Sequence, residues 1–234
     1  MPTKRSKRYE DQVDEIDPAQ EYDLDSAVDM VLDQATADFD ETIECHVRLD
    51  VDPTKSDEQI RGSLELPAGT GQDVRVVVFA EGEDAQEAED AGADEVGADD
   101  LIERIQDGWL EFDQSVATPD MMSDLSELGP VLGPRGLMPN NKAGTVTFDV
   151  KDAVEKLKRG QVELRTDKYG IIHTKLGTSD MENDEIKENL RAVLKFIVNN
   201  RPPGAPARGQ YIQSISMSPT MGPSLKVQPA AAWE

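Results

Sequence analysis

The stretch with the most chemistry to offer is "LGPRGLMPNNKAGT", residues 132–145. It sets three glycines, two prolines, Arg135 and Lys142 in a chain of formal net charge -24. Glycine-rich turns let backbone N–H groups approach an anion, and two cations beside them would complete a phosphate cradle. The loop lacks the Gly-Lys-Ser/Thr ending of a P-loop and the G-x-G-x-x-G spacing of a dinucleotide site, which favours a structural turn over nucleotide binding. His46 and His173 are the only histidines and Cys45 the only cysteine, and they form no recognisable metal spacing. Carboxylates are so abundant that pairs of them mark no acid–base site, and no serine sits in a G-x-S-x-G elbow. No catalytic residue, metal or cofactor is expected.

The basic residues are few and unevenly placed. From Pro134 to Lys175 there are nine, Arg135, Lys142, Lys151, Lys156, Lys158, Arg159, Arg165, Lys168 and Lys175, against five acids. Arg201, Arg208 and Lys226 follow after Asn200. From Glu81 to Asp113, by contrast, fourteen carboxylates face one base, Arg104. Forty-eight acids against 24 bases normally argue against nucleic acid. Adaptation to high salt offers another cause, because solvated carboxylates keep a protein soluble where ions screen their repulsion. On that reading acids fill every surface except one that touches something anionic, so the basic exception is the functional clue.

These residues need elements to hold them. Leu24, Ala27, Met30, Val31 and Ala35 stand at helical spacing. In "ETIECHVRLDV", Ile43, Cys45, Val47, Leu49 and Val51 alternate with polar residues, the pattern of a strand with one buried face. "IRGSLEL" reads as its returning hairpin partner. "VRVVVFA" is a continuous apolar run, as found where both faces of a strand are covered. Helices near 84–91 and 99–106, with strands at "DEVG" and "SVAT", give βαβαβ alternation and parallel strands. "TVTFDV" and the helix "DAVEKLKRG" close this unit. "VELRTDKYGIIHTKLG" reads as a hairpin turning at 167–170. An amphipathic helix from Asp184 and the alternating strand "YIQSISMS" end the pattern. The expected fold class is α+β: a discontinuous domain with an antiparallel sheet, residues 1–69 and 161–234, interrupted by a three-layer α/β Rossmann-like domain over 70–160. The lone cysteine suggests a reducing compartment, and no apolar stretch approaches 18 residues. "MPTKRSKRYE" has no hydrophobic region behind it, so no signal peptide is expected and the protein reads as cytoplasmic.

Several long motifs carry a resemblance. "GPVLGPRGLMPNNKAGTV", "FDETIECHVRLDVDPTKSDEQIRGSLELPAGTG", "DGWLEFDQSVATPDMM", "VELRTDKYGIIHTKLG" and "PTMGPS" together resemble the L-one family of large-subunit ribosomal proteins, which bind the mobile stalk beside the tRNA exit site. The similarity runs from about residue 24 to residue 228, and the chain looks archaeal-like and from a halophile. The resemblance implies a structural constituent of the large subunit that binds the ribosomal RNA stalk, assists release of deacylated exit-site tRNA and can repress translation of its own messenger RNA. It implies no membrane and a free monomer. The domain formed by both chain ends is the main RNA binder in the family, and the inserted domain is not.

Carried over by position, the implied RNA-binding residues are Phe39, Glu41, Thr42, Arg165, Lys168, His173, Ser214, Thr220, Met221 and Gly222. Arg165 and Lys168 can reach phosphates, and a glycine at 222 lets backbone approach a ribose. Phe39 and Met221, read as residue types alone, would sit in a core. Asp38 and Asp40 flank Phe39 where relatives commonly carry lysine, which puts phosphate contacts there in doubt. Arg135 and Lys142 stand as a secondary contact or hinge. The rival reading is a nucleotide-binding α/β enzyme, suggested by the βαβ alternation and the glycine-rich loop, although no phosphate fingerprint follows "VRVVVFA".

Overall fold

A computed structural model describes residues 6–17, 19–55, 57–141, 143–205 and 211–233. The chain opens with α1 (Lys7–Asp14), β1 (Glu21–Tyr22), α2 (Leu24–Asp33), β2 (Thr42–Leu49) and β3 (Arg61–Glu65). Next come β4 (Val76–Phe79), α3 (Gly82–Asp90), β5 (Glu95–Gly97), α4 (Asp99–Gln106), β6 (Gln114–Ala117), the one-turn α5 (Met122–Leu125) and α6 (Gly129–Leu132), and α7 (Val150–Lys158). β7 (Gln161–Arg165), β8 (Ile171–Thr178), α8 (Asn183–Asn199), β9 (Ile212–Pro219) and β10 (Leu225–Val227) follow. The chain divides into two compact units, residues 1–72 with 162–234, and residues 73–161.

The first unit holds a five-stranded sheet in the order β1-β10-β9-β2-β8. Its centre is β2, flanked antiparallel by β8 and β9. The period-2 pattern turns Ile43, Cys45, Val47 and Leu49 inward. They share one core with Leu24, Ala27, Val28 and Val31 of α2 and with Ile186, Leu190, Val193, Leu194 and Ile197 of α8. Asp23 caps α2 by accepting the Ser26 amide at 3.0 Å, and Glu182 with Glu185 form a capping box on α8. The helices cover one face of the sheet and leave the polar face of β2 open.

Two strand pairings differ from the expected hairpins. β3 pairs with β7 in a separate two-stranded sheet instead of returning along β2, because β8 and β9 already occupy both hydrogen-bonding edges of β2. β7 and β8 meet only at the bridge Thr166↔Ile172. The turn at 167–170 nonetheless forms: the Asp167 amide donates to the Ile171 carbonyl at 2.8 Å, and Gly170 takes a φ of +77° that few side chains tolerate.

In the second unit a parallel sheet runs β5-β4-β6. Val76 and Val78 pack with Ala88 of α3 and with Val150, Val154 and Leu157 of α7. Val77 and Phe79 pack the other way, with Leu101 and Ile105 of α4 and with Leu125, Leu128 and Leu132. Helices thus cover both faces, which explains the uninterrupted apolar run of β4. "TVTFDV" makes only the bridge Ala117↔Val146, since Asp149 already caps α7 by accepting the Asp152 amide at 3.2 Å.

Candidate nucleic-acid interface

The open face of the first sheet is laid out in rows that cross it. One row reads His173, His46, Ser216, Lys226; a second Lys175, Glu44, Ser218; a third Ile171, Arg48, Ser214. Glu44 is the only acid in these rows, on a chain with 48. Arg48 and Lys226 are exposed and make no ion pair among the described residues. Hydroxyls, imidazoles and the cations Arg48 and Lys226 make a surface that can donate to phosphate and 2′-hydroxyl oxygens.

At the Thr42 end the loops around Phe39 and Met221 are tied together. Glu41 is fully buried; one carboxylate oxygen accepts the Ala37 amide at 2.9 Å and the other the Met221 amide at 2.7 Å. Its backbone amide donates to Ser179 Oγ at 2.9 Å, and its carbonyl accepts the Ser179 amide at 2.8 Å. Thr220 Oγ1 accepts the Thr42 amide at 3.0 Å and donates to the Thr42 carbonyl at 3.2 Å. A methyl group at Gly222 would lie 2.5 Å from Pro219 Cγ and 3.4 Å from the Gln34 carbonyl oxygen. On this scaffold Phe39 and Met221 stand 53% and 51% exposed, so neither is the core residue that its type alone suggests. Asp38 and Asp40 are also exposed.

Arg165 and Lys168 lie beyond the opposite end of β2, beside the 167–170 turn. The bridge Thr166↔Ile172 groups Thr166 with the buried Ile172 and leaves Arg165 and Asp167 on the side of His173. His173 Nδ1 is 2.9 Å from His46 Nδ1, and His173 Nε2 is 3.4 Å from Asp167 Oδ2. Partial burial, and then the neighbouring His173, hold His46 below the usual imidazole range, against the pull of Glu44. Burial pushes the Asp167 carboxyl up, but the Ile171 and Tyr169 amides and His173 outweigh it and leave the group below its usual value. Ser214 lies toward this turn end of the face, opposite Arg48.

The glycine-rich loop around Arg135 belongs to the other unit and is held by bonds of its own residues. The Asn140 amide donates to Thr145 Oγ1 at 2.8 Å, the Thr145 and Ala143 amides to the Asn140 carbonyl at 3.2 and 3.1 Å, and the Leu137 amide to the Leu132 carbonyl at 3.0 Å. The Ala117 amide of β6 donates to the Thr145 carbonyl at 2.9 Å. These bonds make a structural turn at the sheet edge. Arg135 is exposed, and Lys142 lies outside the described residues. The basic run over 134–175 is therefore not one cluster. Lys156, Lys158 and Arg159 pair with Asp152, Asp94 and Glu155 within the second unit, while Arg165, Lys168 and Lys175 belong to the first.

Sequence reasoning missed Arg8. Its Nη1 donates to Thr36 Oγ1 and its Nη2 to the Met221 carbonyl, both at 3.3 Å, and Nη1 lies 3.8 Å from the Glu41 carboxylate. A basic residue 213 positions from its partner leaves no local signal. His46, Arg48 and Lys226 were also left out of the RNA-binding residues, although they share the open face. The alternation of β2 marks the first two as outward-facing, and only the strand order brings Lys226 alongside.

A family model described as "Ribosomal protein L1p/L10e family" matches residues 31–223. The chain is similar to the large ribosomal subunit protein uL1 of Thermosipho melanesiensis, with 50% identity over 228 residues that make up 97% of each chain. The protein of the same name from Thermosipho africanus is 50% identical over 228 residues, with the same coverage. Both organisms are bacteria, so these relatives lend no support to an archaeal affinity.

Proposed function

Because the chain belongs to the ribosomal protein L1p/L10e family, we propose that the open sheet face of its first unit, with the Phe39–Met221 tip, is the surface that docks the ribosomal RNA stalk. The protein is a structural constituent of the large ribosomal subunit and not an enzyme, and it works in the ribosome, in the cytoplasm. The observation that carries the docking face is the near absence of carboxylates from its strand rows: one acid in three cross-strand rows, on a chain with twice as many acids as bases. The residues assigned to contact are Phe39, Thr42, Arg165, Lys168, His173, Ser214, Thr220, Met221 and Gly222. Glu41 contributes by holding the tip.

The two units serve as separate domains in this reading, with the RNA contact carried by the one built from both chain ends. Release of deacylated tRNA and repression of the protein's own messenger RNA are further proposals. Repression follows if that message folds into a shape like the stalk. Adaptation to brine rests on the excess of carboxylates. In concentrated salt, release of counterions contributes little to affinity, so shape, contacts to 2′-hydroxyls and close backbone approach carry the binding.

A gel shift of a stalk ribosomal RNA fragment at high potassium chloride tests this. The expected result is binding with a shallow salt dependence, lost in Met221→Asp. Binding by Met221→Asp equal to the parent's contradicts the assignment, and a salt slope equivalent to many neutralised phosphates contradicts the mode of docking.

A further inference from the structure

Beside the open face lies a cleft of about 410 Å3 lined by Pro53, Gln59, Arg165, Thr166, Asp167 and Lys168. Its charge is unusual for this chain. Three of the acids around it are engaged elsewhere, while Asp57 stays exposed: Glu163, two positions from Arg165, takes Arg61 at 2.9 Å, and Asp52 and Glu58 take Lys55 at 3.8 and 2.7 Å. Asp167 Oδ1 accepts the Tyr169 and Ile171 amides, both at 2.8 Å. Arg165 and Lys168 are thereby left exposed, with no ion pair among the described residues. Next to them Tyr169 is 66% exposed, more than Phe39 or Met221, and the Lys168 ammonium sits 4.9 Å from its ring centroid. The bond from its own amide to Asp167 and the left-handed Gly170 behind it fix the backbone that presents the ring.

We propose that this cleft is a nucleotide subsite: one unstacked nucleotide of the docked RNA lays its base on Tyr169 and its phosphate against Arg165 and Lys168. Aromatic faces beside backbone-tracking cations are how proteins hold single-stranded nucleotides, since every base has a π-face to stack. A cleft of this size takes one small ligand, not a duplex. Proximity makes the donor the RNA already on the sheet, because Asp167 in the cleft wall contacts His173, which contacts His46 in the middle of the open face. The subsite rests on the docking function proposed above and adds a contact at the end of the sheet away from Thr42 and Met221.

The test uses the full chain and the same stalk RNA fragment, with affinity and the reactivity of each nucleotide toward a 2′-hydroxyl acylating probe as readouts. Tyr169→Ala is expected to bind about tenfold more weakly, the loss of one stacked base, and Tyr169→Phe within about twofold of the parent. One nucleotide, protected by the parent and by Tyr169→Phe, becomes reactive with Tyr169→Ala. It is not among those freed by Met221→Asp. Equal affinity and protection for Tyr169→Ala and the parent, while Met221→Asp is still crippled, overturns the subsite and leaves the docking face standing. A parent that fails to bind the fragment overturns both.

Discussion

The buried carboxylate of Glu41 accepts the backbone amide of Met221 at 2.7 Å, across 180 positions of sequence. Its second oxygen accepts Ala37, so one side chain fixes both loops that present the exposed Phe39 and Met221. Charge-assisted bonds to buried amides are among the stronger ones, and a buried donor left without a partner costs about 1–3 kcal/mol. Glu41→Gln puts an amide nitrogen against one of these donors. Chemical denaturation should show a loss of about 1–3 kcal/mol, and the gel shift a weaker complex. A Glu41→Gln protein with the parent's stability and affinity would show that the tip does not depend on this carboxylate.

Thr220 closes a two-way bond with the backbone of Thr42, and its hydroxyl is the group that does it. Thr220→Ser keeps that hydroxyl and should leave RNA affinity within about twofold. Thr220→Val keeps the shape, removes donor and acceptor together, and should cost about 1 kcal/mol of stability with a larger loss of binding. Equal behaviour of the two variants would remove the hydroxyl from the account.

The contact between His46 and His173 needs one ring nitrogen to donate and the other to accept, so a second proton must break it. His46 in the folded protein sits below its unfolded value of about 6.5. As pH falls through and below that value, the unfolded chain binds a proton that the folded one resists, so the stability of the free protein falls on acidification. An RNA phosphate over the face pulls the other way and favours the imidazolium. Between pH 7.5 and 5.5 the free protein should therefore lose thermal stability while RNA affinity rises a few-fold, and both trends should flatten in His46→Gln. Affinity that falls with pH in the parent would place the phosphates elsewhere.

What the sequence made legible was local. The alternation from Ile43 to Leu49 announces β2 and names its outward residues, and the apolar run "VRVVVFA" announces a strand covered on both faces. Pairing was not legible, because a hairpin reading assigns each strand to its sequence neighbour. β3 instead finds β7, about a hundred residues on, and β1 pairs with β10 at the other end of the chain. Charge was misread for the same reason: nine bases in 42 positions look like a patch until the fold divides them between two units and pairs three of them with acids. Phe39 and Met221 look like core by type, and only the Glu41 staple explains why they stand in solvent.

Amide hydrogen exchange, compared between the free protein and its complex with the stalk RNA fragment, tests the docking face most directly. Slower exchange is expected at Thr42, Ser214, Met221 and Gly222, with the acidic helices α3 and α4 unchanged. Slowing confined to the second unit, with the tip and β9 exchanging as in the free protein, would contradict the account.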